Sequence, residues 1–106
     1  MIAPDLSIET TFDDGTCTVR VAGELDPDTA PKLDGELRDA VQASGCVRLV
    51  VDLEAVTFVD SAGLAVLLDA LQAMRAREGV LVLRNPSSLV RRLLDITALT
   101  DELVVE

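Results

Sequence analysis

The centre of the chain reads Val47-Arg48-Leu49-Val50-Val51-Asp52-Leu53. This run is nearly continuous in apolar and β-branched residues, which is typical of a strand that is covered on both faces. Val56 to Val59 continue the apolar character into a loop, and Asp60-Ser61 then precedes a strongly apolar helix. The sequence therefore predicts a central buried strand, a loop, and a helix that begins near Ser61.

The residues before this strand predict a hairpin and a helix. Apolar residues alternate with polar ones on both sides of the turn Asp13-Asp14-Gly15, which is typical of a β-hairpin. Asp26-Pro27 then has the residue types of a helix start, and Ser44-Gly45 those of a helix end.

The residues after the helix at Ser61 continue the alternation of strands and helices. Val80 to Leu83 predicts a second buried strand, Asn85-Pro86 the start of a short helix, and Leu103 to Val105 a last strand. Strands separated by helices of these lengths predict an α/β fold with parallel strand pairs and with helices packed on the sheet. The length of 106 residues fits a single domain over residues 1–106.

Composition excludes several classes of function. The formal net charge of −10 disfavours a nucleic-acid surface, and the apolar runs are too short to insert in a membrane. The N-terminus has neither a basic segment nor an apolar stretch of signal-peptide length, which predicts a cytoplasmic protein. We therefore expect the partners to be proteins.

The chain contains no histidine. This removes the Ser-His-Asp and Cys-His arrangements of nucleophilic enzymes and the commonest nitrogen ligand of zinc. Cys17 and Cys46 are too few for a disulfide framework, and they are predicted to be small buried hydrophobic residues. We expect no catalytic residues, no metal site and no cofactor.

Four polar residues remain as candidates for a functional site. Ser61 and Asp60 lie where the loop becomes a helix, Asp26 precedes Pro27, and Asp52 lies at the end of the predicted central strand. Each of the residues at a helix start has a structural explanation, because Asp and Ser are common helix caps. Three acids and a serine could also hold magnesium or a phosphate. Neither a GxxxxGK[ST] phosphate loop nor a GxSxG nucleophile turn is present.

Three segments carry a family resemblance. Asp52-Leu53-Glu54-Ala55-Val56-Thr57-Phe58-Val59-Asp60-Ser61-Ala62-Gly63-Leu64 closely resembles the signature of the STAS domain family, and specifically of its anti-sigma factor antagonists. Gly23-Glu24-Leu25-Asp26 with Thr29-Ala30 resembles an earlier loop of that family, and Asn85-Pro86-Ser87 with Leu93-Leu94-Asp95-Ile96-Thr97 resembles its late helix. The order and spacing of the segments make the resemblance specific over nearly the whole chain.

The resemblance implies a mixed β-sheet with helices packed on it and a switch without catalysis. In the family, an anti-sigma factor that is also a serine kinase phosphorylates the serine after the aspartate, which is Ser61 here. The unmodified antagonist binds that kinase, and a sigma factor is thereby released. A phosphatase acting on phospho-Ser61 would reverse the modification. The implied partner-binding residues are Asp26, Asp60, Ser61, Ala62 and Gly63.

The sequence departs from the family pattern at two positions, and two alternative functions stay open. Ala62 replaces a common serine or threonine, and Ala98 replaces a common glycine near the end of the late helix. One alternative is a STAS-fold subunit of a lipid transporter or of a larger signalling assembly. The other is a hydrolase that uses Asp26, Asp52 and Asp60 on a metal ion, which the absent histidine and phosphate loop disfavour.

Overall fold

A computed structural model describes residues 6–43, 45–96 and 104–106. Within these ranges the chain forms a five-stranded sheet in the order β1-β2-β3-β4-β5 and three helices. The elements are β1 (Ser7–Asp13), β2 (Thr16–Leu25), α1 (Ala30–Gln42), β3 (Arg48–Val59), α2 (Ser61–Ala76), β4 (Val80–Arg84), α3 (Ser88–Ile96) and β5 (Val104–Val105). Thr97 and Ala98, in the late segment of the resemblance, lie outside the described residues, as do Ser44 and Leu103.

The sheet is mixed, as predicted. β1 and β2 form the antiparallel hairpin, whose turn residues Asp14 and Gly15 both have positive φ, as a two-residue turn of this kind requires. Every later neighbouring pair of strands is parallel. Because parallel crossovers are right-handed and the strand order advances in one direction, α1, α2 and α3 should pack on the same face.

One face of the sheet carries the core. The buried residues of all three helices join a single cluster with alternate strand residues, among them Val19, Leu49, Val51, Leu81 and Leu83. Cys17 and Cys46 are buried free thiols in this cluster, which confirms their prediction as small hydrophobic residues.

The opposite face carries mostly polar and charged residues. Val50 and Val82 are cross-strand partners that are buried but lie outside the core cluster, and they form the centre of this face. Arg48 and Glu106 form an ion pair of 2.7 Å between Nη2 and Oε2, and Arg84 reaches the same carboxylate at 3.4 Å. We call this surface the open face because no described helix packs on it.

β3 is longer than predicted. The sequence places the end of the strand at Leu53 and a loop at Val56 to Val59, but β3 continues to Val59. Two shifts in its register with β2 insert extra residues into β3, so that the strand stays paired while it bends around β2.

The start of α3 also differs from the prediction. Asn85 does not cap the helix, because it has a positive φ of 54° and lies before the turn. Ser87 has that role, since its Oγ accepts a hydrogen bond of 3.2 Å from the Val90 N–H and its carbonyl accepts one from Arg91.

Candidate functional site

The candidate site lies where β2 and β3 leave the sheet. Leu25 and Val59, the last residues of the two strands, are cross-strand partners. The Asp60 N–H donates to the Leu25 carbonyl at 3.1 Å and extends this pairing by one residue. Asp26 and Asp60 therefore follow the two strands at the same edge of the sheet, which is where open α/β sheets commonly place their sites.

Asp60 caps α2. Its Oδ1 accepts hydrogen bonds from the backbone N–H groups of Ala62 at 2.9 Å and Gly63 at 3.2 Å, and its carbonyl accepts from Leu64. Two of the free N–H groups at the helix N-terminus are thereby satisfied by one carboxylate oxygen. The structural role predicted for Asp60 is confirmed, and it fixes the first turn of α2 in place.

Gly63 brings α2 close to the end of β2. A Cβ atom added to Gly63 would lie 2.7 Å from the Leu25 Cβ and 3.2 Å from Val59 Cγ1. Gly63 is buried and Ala62 is partly buried. Their contribution to a binding surface would therefore be to position Ser61.

Ser61 is the first residue of α2, and its side chain is exposed. Among the described residues its hydroxyl has no hydrogen-bond partner, so it is free to meet another molecule. A negative charge at this position would lie at the positive end of the helix dipole. The backbone N–H groups of Ala62 and Gly63 are already engaged by Asp60.

Asp26 forms a turn that precedes α1. Its Oδ1 accepts from the N–H groups of Asp28 at 2.9 Å and Thr29 at 3.0 Å, while Thr29 Oγ1 accepts from the Asp26 N–H at 3.0 Å. The same hydroxyl donates to the Glu24 carbonyl at 2.6 Å. These reciprocal bonds resemble a capping box and hold the loop in one conformation.

The predicted start of α1 at Pro27 is wrong. The Asp26 carbonyl accepts from the Ala30 N–H at 2.8 Å, but the regular helix begins only at Ala30. The physical reason is Pro31, which has no N–H to donate to the carbonyl of Pro27. The next N–H, that of Lys32, donates to Thr29 and not to Asp28, so two successive bonds of the ladder are missing.

Asp52 does not belong to the site. Because β3 continues to Val59, Asp52 lies in the middle of the strand and not at its end. Its Oδ1 accepts from the Glu54 N–H at 3.0 Å, and its Oδ2 lies 4.0 Å from Arg20 Nε. Across residues 6–43, 45–96 and 104–106, no three acidic or thiol side chains are grouped as metal ligands.

The site is acidic. Glu24, Asp26, Asp28 and Asp60 lie in or beside the two loops, and none of them forms an ion pair with a described residue. The alternating acids at 24, 26 and 28 are visible in the sequence, but only Asp26 was predicted as a site residue. Phe58, exposed two residues before Asp60, was not predicted at all.

Comparison with known proteins agrees with this architecture. An anti-sigma-B factor antagonist of Staphylococcus aureus is 36% identical over 97 residues, which cover 92% of this chain and 89% of that protein. The crystal structure of an anti-sigma factor antagonist from Mycobacterium paratuberculosis is 32% identical, with a TM-score of 0.80 over 99% of this chain and 89% of that one.

A third protein shares the fold at lower identity. The Bacillus cell fate determinant SpoIIAA in its phosphorylated form has a TM-score of 0.76 at 22% identity, over 95% of this chain and 90% of that one. Within the described ranges, no helix has the length and apolar character needed to cross a membrane. The family model described as the STAS domain matches residues 7–106, and the chain belongs to the STAS domain family.

Proposed function

We propose that this chain is an anti-sigma factor antagonist that acts by exchange of protein partners in the cytoplasm. Its unmodified form binds an anti-sigma factor that is also a serine kinase, and a sigma factor is thereby released. Phosphorylation of Ser61 ends the binding, and a phosphatase acting on phospho-Ser61 restores it. The observation that carries the proposal is the exposed Ser61 hydroxyl at the capped start of α2, which bonds to none of the described residues.

The loops around Ser61 support a protein partner. Asp26 and Asp60 use one carboxylate oxygen each to hold their own loops, so that the loop conformations are fixed before any partner arrives. A preorganised surface loses little conformational entropy on binding. The four acids of the site, which form no ion pair with a described residue, fit a partner surface that carries basic residues.

The same electrostatics support a switch. A phosphate adds about −1.5 to −2 charges at neutral pH to a surface that is already acidic. In the free protein the phosphate stays in water at a helix N-terminus, which tolerates it. In the complex it would lose hydration against a partner face shaped for a hydroxyl, and a mismatch of ~3 kcal/mol would lower affinity roughly a hundredfold.

The relatives support this proposal in two ways. The Staphylococcus aureus protein is an antagonist of an anti-sigma factor, which by its name acts on another protein. SpoIIAA, which shares the fold, exists in a phosphorylated form. The proposal carries both properties to this chain.

The chain itself needs no catalytic machinery for this role. Asp26 and Asp60 each use one carboxylate oxygen as a backbone acceptor. No described group accepts a hydrogen bond from the Ser61 hydroxyl, so none is placed as its general base. Both the nucleotide and the base should come from the kinase. We therefore expect the isolated protein neither to hydrolyse ATP nor to modify itself.

Phosphate transfer from purified kinases tests the proposal. Each anti-sigma factor kinase of the source organism is incubated with this protein and Mg-ATP, and the modified residue is located by peptide mass mapping. Ser61→Ala should abolish the modification. Ser88→Ala is the matched control, because Ser88 is likewise an exposed serine at the first position of a helix.

The proposal fails if none of the kinases binds or modifies the wild-type protein. It fails equally if the phosphate is found on Ser88 or if Ser61→Ala is modified at the wild-type rate. Sustained ATP hydrolysis by the isolated protein, lost in Asp26→Ala or Asp60→Ala, would favour the hydrolase alternative.

A further inference from the structure

Phe58 is an exposed aromatic residue on the open face of the sheet. Its side chain is 44% exposed, whereas its neighbour Val59 is 3% exposed in the core. The chain has only one other aromatic residue, Phe12. A single exposed apolar side chain needs no explanation, so the surroundings of Phe58 decide whether it has a role.

The two register shifts in β3 create these surroundings. Arg20 pairs with Asp52 but Ala22 pairs with Ala55, and Gly23 pairs with Val56 but Glu24 pairs with Phe58. Each shift inserts one residue into β3 and places two consecutive exposed residues between buried ones. β-Bulges commonly occur beside functional sites. Here the second bulge offsets the first, so that Phe58 lies opposite Glu24 and faces away from the core.

The result is a small apolar surface with acidic neighbours. Phe58 shares the open face with the paired alanines Ala22 and Ala55, and Glu24 and Glu54 flank them. We call these five residues the Phe58 patch. Farther along the same face, Glu9, Arg20 and Asp52 form a row of alternating charges across β1, β2 and β3. The next row consists of Thr11 and Thr18 beside the buried Val50.

The Phe58 patch adjoins the candidate site. Phe58 precedes Asp60 by two residues, and its cross-strand partner Glu24 precedes Asp26 by two residues. The Glu24 carbonyl also accepts the Thr29 hydroxyl that holds the Asp26 loop. A partner that covers Ser61, Asp26 and Asp60 needs to extend only over the sheet edge to reach Phe58.

We propose that Phe58 is an apolar anchor of the partner-binding surface, and that the anti-sigma factor covers it with an apolar side chain flanked by basic residues. The inference rests on the proposed function and extends its interface from the loops onto the open face. Buried aromatic residues near the centre of an interface commonly carry much of its affinity, and acidic neighbours select basic partners.

Phe12 provides a matched control. It is 50% exposed, close to the value for Phe58, but it pairs with Cys17 near the opposite end of β2. Cys17 and Glu24, the two partners on β2, are seven residues apart, which corresponds to roughly 23 Å along a strand. A partner bound at Ser61 should leave Phe12 in water.

Fluorine NMR of the full chain reads both sites at once. Incorporation of 4-fluorophenylalanine gives two resonances, because the chain has two phenylalanines, and the Phe12→Leu and Phe58→Leu variants assign them. The titrant is whichever purified anti-sigma factor kinase binds the wild-type protein in the test above. We expect it to shift or broaden the Phe58 resonance and to leave the position of the Phe12 resonance unchanged.

Affinities complete the test. Phe58→Ala should weaken binding at least tenfold with an unchanged melting temperature, and Phe12→Ala should stay within about twofold of the wild type. If the wild type binds but the Phe58 resonance does not move and Phe58→Ala binds normally, the anchor is refuted while the proposed function stands. If no kinase binds the wild type, both proposals fail.

Discussion

The Cβ of Leu25 lies where a side chain on Gly63 would have to be, at 2.7 Å from the position of an added Cβ. This contact joins the end of β2 to the first turn of α2 and thereby sets the position of Ser61 relative to the Asp26 loop. Gly63 lies within the regular helix α2, so its backbone conformation does not require a glycine. The close approach of Leu25 does.

Gly63→Ala should lower the free energy of unfolding by about 1–3 kcal/mol, the usual cost of overpacking a core. Chemical denaturation of the wild type and the variant measures the change. Gly35→Ala is the control, because Gly35 lies in α1 with no atom within 4 Å of an added Cβ. It should raise stability by about 0.5–1 kcal/mol, as alanine does at an exposed helix position. If Gly63→Ala were as stable as the wild type, Leu25 would have to move away from the added Cβ without cost.

Asp26→Asn should separate the structural role of Asp26 from its role in binding. Asparagine keeps the oxygen that accepts from Asp28 and Thr29, so the melting temperature should change little. Loss of the charge should nevertheless weaken binding of the anti-sigma factor kinase or slow the modification of Ser61. Asp26→Ala should in addition cost about 1 kcal/mol of stability, because it removes the acceptor of two backbone hydrogen bonds in the turn before α1. A large fall in the melting temperature of Asp26→Asn, with normal binding, would restrict Asp26 to a structural role.

Cys17 should make stability depend on alkaline pH. Burial, and secondly the neighbouring Cys46 thiol, raise the pKa of Cys17 from 9.0 to about 11. A pKa that is higher in the folded state than in the unfolded state means that deprotonation favours unfolding. The contribution of Cys17 to the free energy of unfolding is therefore complete below about pH 9 and is lost as the pH rises towards 11. The chain has no tyrosine and one lysine, which leaves few other groups that titrate in this window.

The measurement is the free energy of unfolding at intervals between pH 8 and pH 11 under reducing conditions. In Cys17→Ala, the free energy of unfolding should fall much less across this window than in the wild type. Val19→Ala should lose stability at every pH but keep the wild-type decline, because Val19 is equally buried on β2 and does not ionise. Equal slopes for the wild type and Cys17→Ala would contradict the assignment.

The sequence predicted the elements whose signals are local. The Asp14-Gly15 turn, the Asp60 cap of α2 and the apolar runs of β3 and β4 each depend on residues within a few positions of one another. The mixed sheet followed from the order of these elements and from the family resemblance.

The errors arose where distant residues decide the outcome. The extension of β3 past Leu53 depends on pairing with the second half of β2 through two bulges, and no local pattern marks them. That extension moved Asp52 away from the site and turned Phe58 outwards. The late start of α1 is different, because its cause, the missing N–H of Pro31, is local and is visible in the sequence.

The central claim is that the charge on Ser61 decides partner binding without changing the fold. Calorimetric titration of the anti-sigma factor kinase tests it with wild-type protein, its phosphorylated form, Ser61→Ala and Ser61→Glu, each checked for an unchanged melting temperature. We predict that Ser61→Ala binds like the unmodified wild type, and that the phosphorylated and Ser61→Glu forms bind at least tenfold more weakly. Equal affinities for all four would contradict the switch.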